Sequence, residues 1–556
     1  MNTEISSEEK QTAKTKWIAV GLGAVVVIAL LATSVDWSEE SGTGNVEDMS
    51  TLGSPGLTSF NKAMELLEGL SEYESGQAQV SILRSLQAWL RDSDPVVDWV
   101  ADPMAARLPA RYRPRAREDI LKTNSIEAFD VIALREASWL RDVARTVVET
   151  NTTAPDIAAI STATTNSVDA KYANDLDAAL RIFDWVVRNI QTDAPVEAGS
   201  QNRYGCDMIL PVWQSLLYGH GTAIEKARTF VLLCRQVNIE VLMLGVEQAE
   251  GDPAEWLPAV YLGDDLFLFD MDYGTPVLKS GNIIATLADV IDDPSILSIF
   301  DIGDISYRTR RKDLSSVVAM IDATPSALSQ RMKMIEDTMA GRKMKLTVTP
   351  SPIAKRLRQS KGITRAEIWT LPYEMYARRD KVNADPQAAS AIIQALSEEQ
   401  ELFDIRNAFS SEHSGFTRQY AERTRNVDTR VSLIQGRLLH FKGAYENAEG
   451  GEFRGATTHY FEIRPSDAEL KEVTDLAAKI KQEGVLTDSL PQADPDGTET
   501  DTVPTPELTA EQKAKQLEQA LASLDRAYRI LAITKENATY WMGLVSFDRG
   551  NYKVAS

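Results

Sequence analysis

Residue types able to do covalent or acid–base chemistry are sparse in this 556-residue chain: two cysteines, Cys206 and Cys234, and histidines at 220, 413, 440 and 459. Thiol catalysis needs a thiolate, a base to generate it and a group that orients the base. Cys206 with His220 could form a rearranged thiol–base pair, serving a cysteine-type amide hydrolase or acyltransferase. On the plainer reading, His220 caps or lines a loop. Cys234 shares a helical face with Ile224, Ala227, Val231 and Val237, which makes it a small core residue. The alternative reading, for an exported chain, is a disulfide between Cys206 and Cys234. Two cysteines cannot build a Cys₄ zinc site or an iron–sulfur cluster, and four histidines leave little room for a metal centre. No Walker loop, dinucleotide fingerprint or H-E-x-x-H motif is present, so no cofactor is expected. A net charge of −22 argues against nucleic acid as a partner. The basic islands at 307–313 and 355–365 read as solvated faces or ion pairs.

The elements that must position these residues are mostly helical. Hydrophobic residues at 43% and charged ones at 25% describe a folded globular chain. Apolar stripes predict helices across about 58–150, within a helical region 57–167, then a Thr- and Ala-rich, low-charge loop at 150–167, a helix carrying Leu176, Leu180, Phe183, Val187 and Ile190, and another over 223–238. Short apolar runs at 241–246, 257–262 and 266–271 then read as strands, with Gly263, Asp264 and Asp265 forming a hairpin turn between the last two. A helix is expected at about 325–340 and a strand near 343–349, in a mixed region, 290–395, to which the residues assign no role. Helix dominates 396–556, interrupted at 486–509 by an acidic stretch rich in Pro and Thr that reads as a disordered loop.

The segment GTAIEKARTFVLLCRQVNIEV at 221–241 resembles the nucleophile helix of the transglutaminase-like superfamily, a papain-like fold. Gly221, Glu225, Ala227, Arg235 and Ile239 fall in register, with Asn238 where the family prefers Gly. Downstream, EWLPAVYLGDDLFLFDMDYG matches the family's strand, hairpin and second strand, with Asp270 and Gly274 in their expected places. The resemblance implies an α+β domain over 168–289 and a Cys–His–Asp triad. Ala223 stands at the cysteine position and Glu255 at about the histidine position, so only Asp270 of the three is retained. Glu255 reads as a solvated carboxylate at a strand start, and Trp256 as packing in the former cleft. The chain also resembles membrane-anchored bacterial proteins that join such a domain to helical repeats.

Residues 17–35 carry no charge, and as a helix they would span about 28 Å, enough to cross a bilayer core. Lysines precede the run and acids follow it. The expectation is therefore a cytoplasmic tail (1–16), an uncleaved membrane anchor from Trp17 to Val35, a stalk (36–56) and an extracytoplasmic body. Near the C-terminus a frame occurs twice, as Gly436, Gly443, Tyr445 and Ala448, and as Gly543, Gly550, Tyr552 and Ala555. It resembles the tetratricopeptide repeat, in which the second Gly ends a helix and the Tyr and Ala begin the next. The expected fold is thus mainly α, with an α+β transglutaminase-like domain, one N-terminal transmembrane helix and C-terminal α-helical tetratricopeptide-like hairpins. The expected role is non-catalytic binding of a protein or peptide partner; the alternative is the Cys206/His220 enzyme.

Overall fold

The computed structural model describes residues 55–69, 75–93, 98–150, 154–193, 209–304, 306–307, 309, 313–339, 343–384, 433–448, 454–483 and 509–555. The chain divides into two units, one from residues 1–148 and 155–393 and the other from 149–154 and 394–556.

The helices of the first unit are α1 (Pro55–Glu68), α2 (Ser75–Arg91), α3 (Glu118–Leu121), α4 (Ala128–Thr150), α5 (Pro155–Thr165) and α6 (Ala170–Asn189). They continue as α7 (Val212–Tyr218), α8 (Ala223–Gln236), α9 (Leu287–Asp292), α10 (Gln330–Thr338), α11 (Pro350–Leu357) and α12 (Leu371–Ala384). Its strands begin with β1 (Gln191–Thr192), β2 (His220–Gly221), β3 (Val241–Val246), β4 (Ala254–Leu262) and β5 (Asp265–Asp270). The others are β6 (Thr275–Pro276), β7 (Leu278–Lys279), β8 (Ile283–Ile284), β9 (Val317–Ile321) and β10 (Ile363–Ile368).

The central sheet has the order β10-β9-β3-β4-β5-β6. β10 runs parallel to β9, and the remaining neighbours are antiparallel. Both faces are covered, which is why β3 to β5 read as continuous apolar runs rather than alternating ones. On one face Phe269 meets Phe183 of α6 and Phe230 of α8, with ring centroids 5.0 and 5.3 Å away. On the other, Leu242, Leu257, Ala259, Leu266 and Leu268 pack with Ile353, Leu357 and Tyr373. The β4–β5 hairpin closes through Gly263 and Asp264, and Gly263 adopts φ 65°. Helix α8 stops where Asn238 takes φ 62° and the Ile239 N–H donates to the Cys234 carbonyl at 3.0 Å. Asn tolerates this left-handed conformation nearly as Gly does, so its replacement of the family's Gly leaves the helix end intact.

The loop expected at 150–167 instead holds helix α5, and residues 343–349 form no strand. Their extended backbone is satisfied by a side chain instead: the Leu346 and Thr347 N–H groups donate to Glu336 Oε2 at 2.7 and 2.8 Å. The sheet gains β9 and β10 from the 290–395 region. In the 355–365 basic island, Arg356, Lys361 and Arg365 pair with Glu240, Asp292 and Glu247.

The second unit comprises α13 (Leu433–Phe441), α14 (Ala456–Ile463), α15 (Asp467–Glu483), α16 (Ala510–Asp548) and α17 (Tyr552–Ala555). Val473 and Ile480 of α15 pack on Leu524, Ala527 and Leu531 of α16. Arg437 is buried between the rings of Phe441 and Trp541, and His440 Nε2 lies 2.9 Å from Asp548 Oδ2.

The expected fold class is corrected on two points. The chain is mostly helical with a sheet, but among the described residues no helix is long and apolar enough to cross a membrane. The expected span at 17–35 lies outside the described residues, as does the acidic stretch 486–508. Tetratricopeptide-like hairpins are replaced by unequal helices built around α16, which alone has 39 residues. The recurring frame encodes a helix end rather than a repeat. Gly443 and Gly550 take φ 69° and 77°. In both copies the next residue's N–H reaches the carbonyl five residues back, Ala444 to Leu439 at 2.9 Å and Asn551 to Ser546 at 2.8 Å. Tyr552 then opens α17, whereas Tyr445 and Ala448 lie in the loop before α14.

Candidate functional site

Helix α8 begins at Ala223, and its first turn is held by a reciprocal cap. The Glu225 N–H donates to Thr222 Oγ1 at 3.3 Å, while Glu225 Oε2 accepts from the Thr222 N–H and hydroxyl at 2.8 and 3.0 Å. Glu225 Oε1 also accepts from the Leu210 N–H. Burial pushes the Glu225 carboxyl up, and these hydrogen bonds oppose the shift. Gly221 is closely packed: a Cβ there would lie 3.1 Å from Ser215 Oγ and 3.2 Å from Glu225 Oε2, so both side chains would have to give way. At the helix start, where a nucleophile would gain from the dipole, the chain presents the Ala223 methyl, and the adjacent Thr222 hydroxyl is committed to Glu225.

Beside this turn, β1 and β2 pair in parallel, matching Gln191 with His220. His220 is buried; its Nδ1 lies 2.9 Å from Asp193 Oδ2, and its ring stacks on Tyr218. Lys226, one turn into α8, is 2% exposed and donates through Nζ to Thr192 Oγ1 at 2.7 Å. Burial lowers its pKa to about 8, and Asp272 opposes that shift. Cys234 is buried and free, and burial pushes its thiol well up. Cys206 lies outside the described residues.

Asp270 ends β5 fully buried. Its Oδ1 accepts from the Asp272 and Tyr273 N–H groups at 2.8 and 3.0 Å, and its Oδ2 accepts from the Tyr307 hydroxyl at 2.5 Å. Tyr307 in turn accepts from Trp256 Nε1 at 3.1 Å. A β-bulge explains why Trp256 takes part and Glu255 does not. Leu244 pairs with Leu257 but Gly245 with Glu255, so Trp256 is an extra residue in β4. Trp256 and Leu257 consequently pack into the same core as Leu266 and Leu268. Glu255 is instead hydrogen-bonded by Trp369 Nε1 at 3.3 Å. Gly245 faces the bulge at close quarters, since a Cβ there would lie 3.0 Å from Pro253 Cβ and 3.1 Å from the Ala254 carbonyl oxygen.

The structure thus places Ala223 and His220 about one helix start and gives Asp270 to Tyr307 and Glu255 to Trp369. Tyr307, Trp369, Asp193 and Lys226 are contributors that sequence spacing does not mark. Among the described residues no group of His, Cys, Asp and Glu could hold a metal ion.

The family model of the transglutaminase-like superfamily matches residues 162–265. No curated protein and no solved structure shows a match to the chain. The matched span holds the helix start at Ala223 and the bulge at Glu255, and residues 162–265 form a transglutaminase-like domain.

Proposed function

We propose that the transglutaminase-like domain is a non-catalytic module that binds a peptide or protein partner. The observation that carries this reading is Ala223 at the first position of α8, where the superfamily's chemistry needs a thiol. Two further observations support it. Asp270, which would orient a histidine, instead accepts from two backbone N–H groups and Tyr307. Glu255 is engaged by Trp369. Losing the reacting groups removes turnover without removing the fold that surrounded them.

The test is to incubate the purified chain with a defined library of short glutamine-containing peptides, then analyse retained and released material by mass spectrometry. Saturable retention of intact peptides is the expected result. Cleaved or transamidated products, or no retention at all, would overturn the proposal.

A second reading, the cysteine-type hydrolase or acyltransferase using Cys206, is favoured by the His220–Asp193 pair, the base-and-orienter half of a triad. It requires rapid alkylation of Cys206 at neutral pH in the folded chain; slow alkylation counts against it.

A further inference from the structure

Helix α4, helix α8 and the chain that follows β9 enclose a cavity of about 50 Å³, open on one side. Ala133, Ala137 and Leu140 of α4 and Leu232 of α8 give it apolar walls. Glu136, Arg228, Arg235 and Asp322 bring charge to it. One water needs about 10–15 Å³ of such space, so the cavity has room for about three to five heavy atoms. A slightly larger molecule can extend through the mouth.

These charges are unevenly satisfied. Asp322 is 1% exposed; its Oδ2 accepts from Arg228 Nε at 2.8 Å and its backbone carbonyl from Arg235 Nη2 at 2.6 Å. Its Oδ1 is buried without a hydrogen bond, 3.6 Å from Arg235 Nη1. Two guanidiniums thus share one carboxylate, which leaves this wall of the cavity one positive charge in excess. Arg228 is 3% exposed, and among the described residues its two terminal amino groups have no hydrogen-bond partner. Burial opposes its charge, but Asp322 and Glu136 outweigh burial and the guanidinium stays ionised. Glu136 commits Oε2 to the Trp213 N–H at 3.0 Å, and among the described residues its other oxygen has no hydrogen bond. Burial pushes this carboxyl up, and Arg228 opposes the shift. No ion pair joins Arg228 to Glu136 among the described residues. A guanidinium edge and a carboxylate oxygen therefore belong to one cavity without meeting each other.

We infer that this cavity binds a small α-amino acid, with Arg228 holding the carboxylate and Glu136 the ammonium group. A secluded site with one cation and one anion short of partners is balanced by a ligand that carries both charges, and not by an ion of either sign. The guanidinium edge matches the two oxygens of a carboxylate. An ammonium and a carboxylate on one carbon make five heavy atoms, and the alanine and leucine walls suit a short aliphatic side chain. Arg228 lies beyond the first turn of α8, so this site is separate from the helix start at Ala223 and independent of the peptide-binding reading.

Isothermal titration of the full chain with L-alanine, propionate and L-alaninamide tests it, since the second lacks the ammonium group and the third the carboxylate. Alanine is expected to bind about tenfold or more tighter than either, the scale of one charge-assisted pair of hydrogen bonds. Glu136→Gln keeps an acceptor for the Trp213 N–H and should erase the preference for alanine over propionate. Ala133→Leu fills the cavity from α4, leaves every charge in place and should abolish alanine binding. Equal binding of the three probes overturns the inference. So does a preference over propionate that survives Glu136→Gln, or alanine binding that survives Ala133→Leu. Absence of binding by all three overturns it as well and marks the cavity as one that holds water only; peptide retention in the earlier test stands or falls separately.

Discussion

Tyr307 joins the Trp256 indole to the Asp270 carboxylate, so Tyr307→Phe would remove a buried hydrogen bond from each of them at once. The expected cost is about 2–4 kcal/mol in chemical denaturation, and a loss below about 0.5 kcal/mol would remove Tyr307 from the account of the site. Lys226 makes a second prediction at this scale. Its folded pKa of about 8 lies below the ordinary 10.5, so the unfolded chain binds the extra proton between those values. Its contribution therefore opposes folding in full below pH 8 and fades as pH rises through the window. Lys226→Met should stabilise the chain at pH 7 by on the order of 2 kcal/mol, with the gain vanishing above about pH 10. A direct NMR titration should give the same low pKa; an ordinary lysine value would refute both statements. Ala223, Glu255 and Asp270 were legible as positions because spacing along one helix and one hairpin is local. Tyr307 was not, because it reaches Asp270 from 37 residues away.

At the scale of elements, the bulge in β4 is the decisive feature. It adds one residue at Trp256 and so changes which side chain joins Asp270. Combining Ala223→Cys with Glu255→His is expected to give a thiol that alkylates readily at a helix N-terminus. No amide cleavage should follow, since Asp270 remains bound by Tyr307; hydrolysis by that double variant would show that the bulge is irrelevant. The two C-terminal glycine frames are locally alike but packed differently. A Cβ on Gly436 would lie 2.6 Å from Tyr460 Cε1, whereas on Gly543 the nearest atom, the Ala555 carbonyl oxygen, is 3.4 Å away. Gly436→Ala should cost about 1–3 kcal/mol, because the fully buried Tyr460 ring must move. Gly543→Ala should be neutral or gain up to about 1 kcal/mol of helix propensity. Equal effects of the two substitutions on the second unit's unfolding midpoint would restore the repeat interpretation.

At the scale of the whole molecule, the core that holds Leu242 and Tyr373 and the core that holds Phe60 and Met332 include, among the described residues, none beyond Tyr373. A chain ending at residue 393 should therefore unfold cooperatively, at the same midpoint as the first unit's transition in the full chain. Loss of cooperativity on that truncation would show that the division into two units is not a division of stability. From its residues alone, this chain determined the α8 helix, the β3–β5 strands and the hairpin, because period and turns are short-range. They also determined that no thiol stands at the start of α8. Tertiary structure alone decided that β9 and β10 complete the sheet, that the C-terminal frame ends helices without making repeats, and that Trp256 rather than Glu255 joins Asp270 through Tyr307. Those outcomes depend on contacts between residues far apart in the chain, and the free energy that selects them comes from burial and pairing that no local pattern records.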